Sequence, residues 1–240
     1  GALIQGMIAG GLVNAEAVTV ADTDEARLAE LARSCKVLVT ADNREAVRNA
    51  DLIILAVKPQ NMAEVLAGLT AAMVPSALVI SIAAGISTAF IEERLGEGVR
   101  VVRVMPNMPA LIGEGAAAIA PGGHATEADL KRTRHIFDAV GITVEVKEDL
   151  MDAVTGLSGS GPGYVFLIVE AFADAGVRVG LPRETALKLI AQSFLGAARL
   201  CLLGEKPPAE LRAMVTSPGG TTLAGLKVME EGKLREILMA

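Results

Sequence analysis

The stretch Val215-Thr216-Ser217-Pro218-Gly219-Gly220-Thr221-Thr222, continuing into Leu223-Ala224-Gly225-Leu226, brings together residue types that can hold a small anion. Pro218 prevents one continuous helix through this point, and Gly219 and Gly220 let backbone approach a ligand with no Cβ in the way. Thr221 and Thr222 then fall where helix caps and first-turn residues fall, so unpaired N–H groups and hydroxyls can converge on one acceptor. The same spacing also builds a capped loop between two helices, and on these residues alone both readings stand.

Other candidates occupy the ends of apolar runs. Ala17–Ala21 stops at Asp22; Leu52–Val57 stops at Lys58-Pro59-Gln60; Leu78–Ile82 stops at Ala83-Ala84-Gly85; and Val99–Val104 stops at Met105-Pro106-Asn107. Each run is short and rich in β-branched or aliphatic residues, as a strand buried on both faces must be. Helical stretches to about Arg33, about 61–72 and about 88–95 alternate with them, and Asn43 is placed to cap a further helical turn. Runs at 116–121 and 142–146, with a helix from about Glu127 to Val140 between them, extend the pattern. Repetition of strand and helix predicts an α/β domain with a doubly wound parallel sheet over residues 1–147. Ligands of such sheets bind beyond the carboxyl ends of the strands, where these four sets of residues fall.

A dinucleotide-binding sheet of this kind begins with a strand and a glycine-rich turn. This chain begins instead at Gly1 and a helical pattern, so that strand and turn are expected upstream. Asp22 lies roughly 20 residues beyond such a turn, where an acid accepts the hydroxyls of the adenosine ribose. Capping the next helix is an alternative use of the same side chain, and one residue can do both.

From residue 148 to 240 the pattern is helical without strands, which predicts a second, all-helical domain. Ser158-Gly159-Ser160-Gly161-Pro162-Gly163 is too rich in glycine for a helix interior and predicts a kink or break, serving either close packing or a ligand. A long helix is predicted from Pro182 to about Leu203, ended by Gly204. The apolar helices carry more hydrophobic face than so small a domain hides, which points to an oligomer interface.

Composition excludes several classes. A net charge of −6, from 22 basic and 28 acidic residues scattered along the chain, argues against nucleic acid or an anionic membrane as partner. No charge interrupts Val65–Ile91, yet Pro75, Gly85 and several hydroxyl residues divide it into pieces too short to span a bilayer. Two histidines, His124 and His135, lack a metal-ligand spacing and argue against a zinc site or a histidine-based triad. Cys35 and Cys201 form no paired framework, which fits a reducing cytoplasmic location.

Four segments in this order, Ala56–Gln60, Met105–Ala110, Asp152–Pro162 and Ser217–Thr222, resemble the pyrroline-5-carboxylate reductases, and the likeness runs through nearly the whole chain. The resemblance implies a Rossmann-type domain, a helical domain that interlocks with its mate in a homodimer (with larger rings in some members), and reduction of 1-pyrroline-5-carboxylate to L-proline with NADPH or NADH. It implies cofactor contacts at Asn43, Ala56, Val57, Lys58, Pro59, Ile82, Ala83, Ala84, Asn107 and Glu148, beside Asp22. It also implies a substrate site at Ser217, Gly219, Gly220, Thr221 and Thr222, with Thr222 as the catalytic group. Asp22 stands where relatives that prefer NADPH carry residues tolerant of a 2′-phosphate, and a carboxylate there favours NADH unless it turns away. Met108 replaces the usual threonine of its motif. Other readings of the same two-domain build are an imine or hydroxyacid reductase and a nucleotide-binding assembly protein without chemistry; the former typically uses a helix-borne lysine, and the glycine-rich stretches contain none.

Overall fold

The computed structural model describes residues 1–240. Helix α1 (Ala2–Ala9) opens the chain, followed by β1 (Thr19–Ala21), α2 (Glu25–Cys35), β2 (Leu38–Thr40) and α3 (Asn43–Val47). Next come β3 (Leu52–Leu55), α4 (Met62–Leu69), β4 (Leu78–Ser81), α5 (Thr88–Leu95) and β5 (Arg100–Met105). Strand β6 (Gly115–Pro121), α6 (Glu127–Asp138) and β7 (Gly141–Glu145) complete the sheets. β1 and β2 form a two-stranded parallel ladder, and the other five strands lie in sequence order in one sheet.

Strand alternation explains the two layers of helices. In β4 the side chain of Val79 enters one core with Val101 of β5, Leu66 of α4 and Ile91 of α5. Its neighbours Leu78 and Ile80 enter the other, with Val102 and Val104 of β5, Met7 of α1 and Phe137 of α6. All four residues of β4 are buried, which is why this run reads as continuously apolar rather than alternating.

The sheet is mixed, not wholly parallel. β3, β4, β5 pair in parallel and β6 pairs with β7 in parallel, but β5 and β6 run antiparallel. The cause is the β5–β6 connection, which holds a short 3₁₀ turn at Met108–Ile112 and no crossover helix, so the chain must come back beside the strand it left. One cap sits a residue from the position expected, and the other falls within the Asp22–Asp24 stretch that ends the first apolar run. Asp42, rather than Asn43, accepts from the Arg44 N–H to start α3, and Asp24 accepts from the Arg27 N–H to start α2.

Two compact units divide the chain, Gly1–Val165 and Phe166–Ala240. Within the first, α7 (Met151–Val154) and a π-helical turn at Thr155–Gly159 follow the last strand. Met151, fully buried against Ala118 and Ala120 of β6, anchors them there. Helix α8 (Gly161–Arg178) begins after this turn, and the glycine-rich segment does interrupt the helix, as a π turn.

The second unit contains the rest of α8, then α9 (Arg183–Leu203), α10 (Pro208–Met214), α11 (Thr221–Glu231) and α12 (Leu234–Met239). Gly176 of α8 lets α9 approach, since a Cβ there would lie 2.9 Å from the Cβ of Ala186. Phe172 and Phe194 meet edge to face with centroids 6.2 Å apart. Only Ala173 and Ala186 of this unit are buried, whereas Leu189, Leu200, Leu202 and Leu203 are exposed. By length and composition alone α9 would span a membrane.

The start of the β6–β7 ladder has no room for a side chain. Gly141, at φ +154°, packs its Cα directly against the backbone carbonyl of Gly115, where any Cβ would overlap it. Gly141→Ala should therefore destabilise the first unit by about 2 kcal/mol or more, read as a lower denaturation midpoint; an unchanged midpoint would show that the ladder can shift to admit the methyl.

Candidate active site

Strand register sets the first unit's candidate crevice. Leu55 pairs with Ser81, and Ser81 with Arg103, so the segments leaving β3, β4 and β5 emerge side by side at the same edge of the sheet. These are Ala56–Pro59, Ile82–Gly85 and Met105–Asn107, three of the strand ends singled out in the sequence. The fourth, Asp22, follows β1, whose last residue Ala21 pairs with Thr40 of β2, two residues short of the α3 cap that precedes Asn43.

The side chains at this edge are small or exposed. Ala56, Lys58, Pro59 and Ala84 are exposed, while Val57 packs on the core and Ala83 is buried. Gly85 turns at φ +72° with nothing within 4 Å of the position a Cβ would take, so the β4 loop faces open space. The Ile82 N–H donates to the Leu55 carbonyl and the Ala83 N–H to the Ser81 hydroxyl, while the small exposed side chains leave the edge open and Lys58 adds a positive charge. An open wall of small residues with a cation beside it, and a carboxylate at the end of β1, is compatible with a dinucleotide.

Asn107 and Glu148 are engaged within the protein. The Asn107 side-chain carbonyl accepts from the Ala116 N–H at 2.9 Å, and its amide donates to the Ser158 carbonyl at 3.0 Å. This fastens the bend after β5 to β6 and to the π turn. Gly159 in that turn approaches Met105, to which a Cβ would come within 2.7 Å.

Both oxygens of Glu148 face the start of α5. One accepts from the Thr88 N–H and the other from the Thr88 hydroxyl, each at 2.6 Å. Arg103, only 6% exposed in β5, lies 3.6 Å from the Glu148 carboxylate and 3.6 Å from that of Asp152. Ser87 caps α5 by accepting from Phe90 N–H. The helix that follows the β4 loop is thus held by side chains at its first turn. Sequence reading missed Thr88 and Arg103, although a lone arginine inside Val101-Val102-Arg103-Val104 signals a buried charge in need of a partner.

The second unit contains the turn Ser217–Thr222. Gly219 adopts the left-handed conformation at φ +72°, and Gly220 donates its N–H to the Ser217 carbonyl at 3.0 Å. A Cβ on Gly220 would lie 2.5 Å from the Ser217 hydroxyl oxygen and 3.1 Å from the Ser217 carbonyl oxygen, so the turn is tightly wound here. α11 begins at Thr221 with Gly220 as its N-cap and no side chain capping it. The first N–H groups of the helix therefore remain available, at the positive end of its dipole. Thr221 and Thr222 are both exposed on this first turn. The turn does join two helices, α10 and α11, but Gly220 is the N-cap and neither threonine caps the helix.

The chain can be set beside known proteins. Residues 148–240 match the family described as pyrroline-5-carboxylate reductase dimerisation, and residues 1–85 match that described as NADP oxidoreductase, coenzyme F420-dependent. The pyrroline-5-carboxylate reductase of Methanosarcina acetivorans is 48% identical over 238 residues, covering 99% of this chain and 88% of the relative. That of Corynebacterium melassecola is 42% identical, covering 98% of this chain and 87% of the relative. A solved pyrroline-5-carboxylate reductase from Coxiella burnetii superposes with a TM-score of 0.92 at 38% identity, over 99% of this chain and 88% of that one. The Plasmodium falciparum enzyme, solved with NADP bound, superposes with a TM-score of 0.88 at 32% identity over 99% of this chain and 88% of that one. With an α/β unit open at its strand ends, a helical dimerisation segment and relatives that match it almost end to end, this chain belongs to the pyrroline-5-carboxylate reductase family.

Proposed function

We propose that the chain reduces the C=N bond of 1-pyrroline-5-carboxylate to give L-proline, the last step of proline biosynthesis, and that the Ser217–Thr222 turn holds the substrate. The observation that carries the site assignment is the start of α11, which no side chain caps and where two exposed threonines directly follow the Gly219–Gly220 turn. A carboxylate satisfies those N–H groups and is favoured by the helix dipole. Ser217, Gly219, Gly220 and Thr221 receive the carboxylate, and Thr222 faces the ring.

NADPH or NADH, when bound, supplies the hydride. The chain's own residues do the rest. Ala56, Val57, Lys58, Pro59, Ile82, Ala83 and Ala84 form the wall against which the cofactor is held, with Asp22 and Asn43 toward its adenosine end and Asn107 fixing the bend beside it. Thr222 orients the ring: its hydroxyl accepts from the protonated ring nitrogen, the more electrophilic form of the imine, or passes a proton from water. A threonine hydroxyl is too weak an acid to protonate the nitrogen unaided.

Glu148 acts as a positioning residue. Through Thr88 it sets the start of α5 and hence the Ile82–Gly85 loop, and Arg103 holds it in place. Residues 148–240 form the dimerisation domain, its first turns carried on the sheet unit. A second copy of the chain covers the apolar faces of α8 and α9, so α9 belongs to an interface rather than a membrane. A homodimer, or a ring of such dimers, working in the cytoplasm accounts for these faces and for two unpaired thiols.

Oxidation of NAD(P)H by the purified protein, followed at 1-pyrroline-5-carboxylate concentrations around KM, tests the activity; no turnover with proline as product would overturn it. Thr222→Ala should lower kcat by roughly one to three orders of magnitude, about 1.4 kcal/mol of barrier per tenfold, with little change in cofactor Kd. Full turnover in that variant removes Thr222 from the mechanism. Glu148→Ala should raise the Kd of NAD(P)H several-fold, roughly 1 kcal/mol, while substrate KM stays near that of the parent. Glu148→Gln, which keeps one acceptor for Thr88, should fall between them; equal effects on cofactor and substrate would mean a general loss of fold.

A further inference from the structure

The β1 end carries an acid where a 2′-phosphate would meet repulsion, yet the acid is not alone. Asp22 Oδ1 accepts from the Asp24 N–H at 3.1 Å, and Asp22 Oδ2 lies 3.6 Å from Nε of Arg27. The Arg27 backbone is fixed in the first turn of α2, because its own N–H donates to Asp24 Oδ1 at 3.1 Å. One edge of the guanidinium therefore faces Asp22, and the side chain remains 61% exposed against 28% for that of Asp22.

We propose that Arg27 is a specificity-determining residue that lets this chain use NADPH despite Asp22. The proposal rests on the reading that the β1 end receives the adenosine ribose. With a ribose bearing a free 2′-hydroxyl, Arg27 stays beside Asp22, which accepts the hydroxyls. With a 2′-phosphate, the guanidinium turns its terminal N–H groups to the phosphate and neutralises it, and Asp22 keeps its bond to the Asp24 N–H, directed away. A planar guanidinium suits this exchange because it presents several donors at once and binds carboxylate and phosphate oxygens in the same forked geometry. The 3.6 Å separation from Asp22 matters here. It is longer than a direct hydrogen bond, so little is lost when Arg27 turns away.

Equilibrium binding tests this without turnover. Kd values for NADH and NADPH come from dihydronicotinamide fluorescence, and competition by AMP and by adenosine 2′,5′-bisphosphate isolates the 2′-phosphate. Arg27→Ala should weaken NADPH and the bisphosphate by about tenfold or more while changing NADH and AMP by less than about threefold. Arg27→Lys, which keeps the charge and loses the fork, should recover part of that loss. Asp22→Ser should weaken NADH and tighten NADPH. If Arg27→Ala leaves the NADPH-to-NADH ratio unmoved, or weakens both alike, while Asp22→Ser shifts it, the role of Arg27 is overturned and the ribose assignment stands. If neither substitution moves any of the four affinities, the ribose does not sit at the β1 end and both readings fall.

Discussion

A buried arginine in the central sheet is the constraint around which the site is arranged. Arg103 lies among aliphatic strand residues and is almost wholly removed from water. An unpaired charge there would cost several kcal/mol. Carboxylates must therefore come to it, and they come from Glu148 and Asp152, just past the last strand. Bringing that segment to β5 also delivers Glu148 to Thr88 and seats Met151 against β6. The charge of Arg103, through its two carboxylate partners and the Glu148–Thr88 bonds, thus joins β5, the start of α5 and the segment after the last strand.

The two units solve the problem of burial differently. In the first, β4 is covered on both faces and its neighbours share two cores. Such a sheet tolerates exposed loops at its strand ends, because the strands beneath them are rigid. The second unit has little interior. Its helices touch through Gly176, Ala186 and one aromatic pair, and its larger apolar side chains remain outside. That surface belongs in an interface, in keeping with a segment that matches a dimerisation family.

Charge at the strand ends is used sparingly. Lys58 and Asp22 stand at separate ends, and the remaining wall is alanine, glycine and backbone. A ligand held in this way is recognised by shape and main-chain hydrogen bonds, with the few charged groups deciding between close variants of it. Arg27 and Asp22, five positions apart, lie as an ion pair at the end of β1.

The amino-acid sequence by itself determined the elements and most of their order. The strands from β3 to β5 were legible because their residues are mainly apolar on both faces, and Pro218 with Gly219 marked the turn before α11, since proline stops a helix and the left-handed backbone of Gly219 favours glycine. The family likeness was legible for the same reason: its motifs lie at strand ends and tight turns, where few residue types are allowed. Tertiary structure alone decided the rest. The reversal of β6 depends on a connection without a helix, and the helical propensity of its short turn gives no direction. The use of Asp42 in place of Asn43 as a cap depends on a one-residue choice between two competent side chains. Arg103 reaches Glu148 45 positions on, Glu148 reaches Thr88 60 positions back, and Asn107 reaches Ser158 51 positions on. Contacts of that span are set by how sheets and helices stack, and a local pattern of residues carries no record of them.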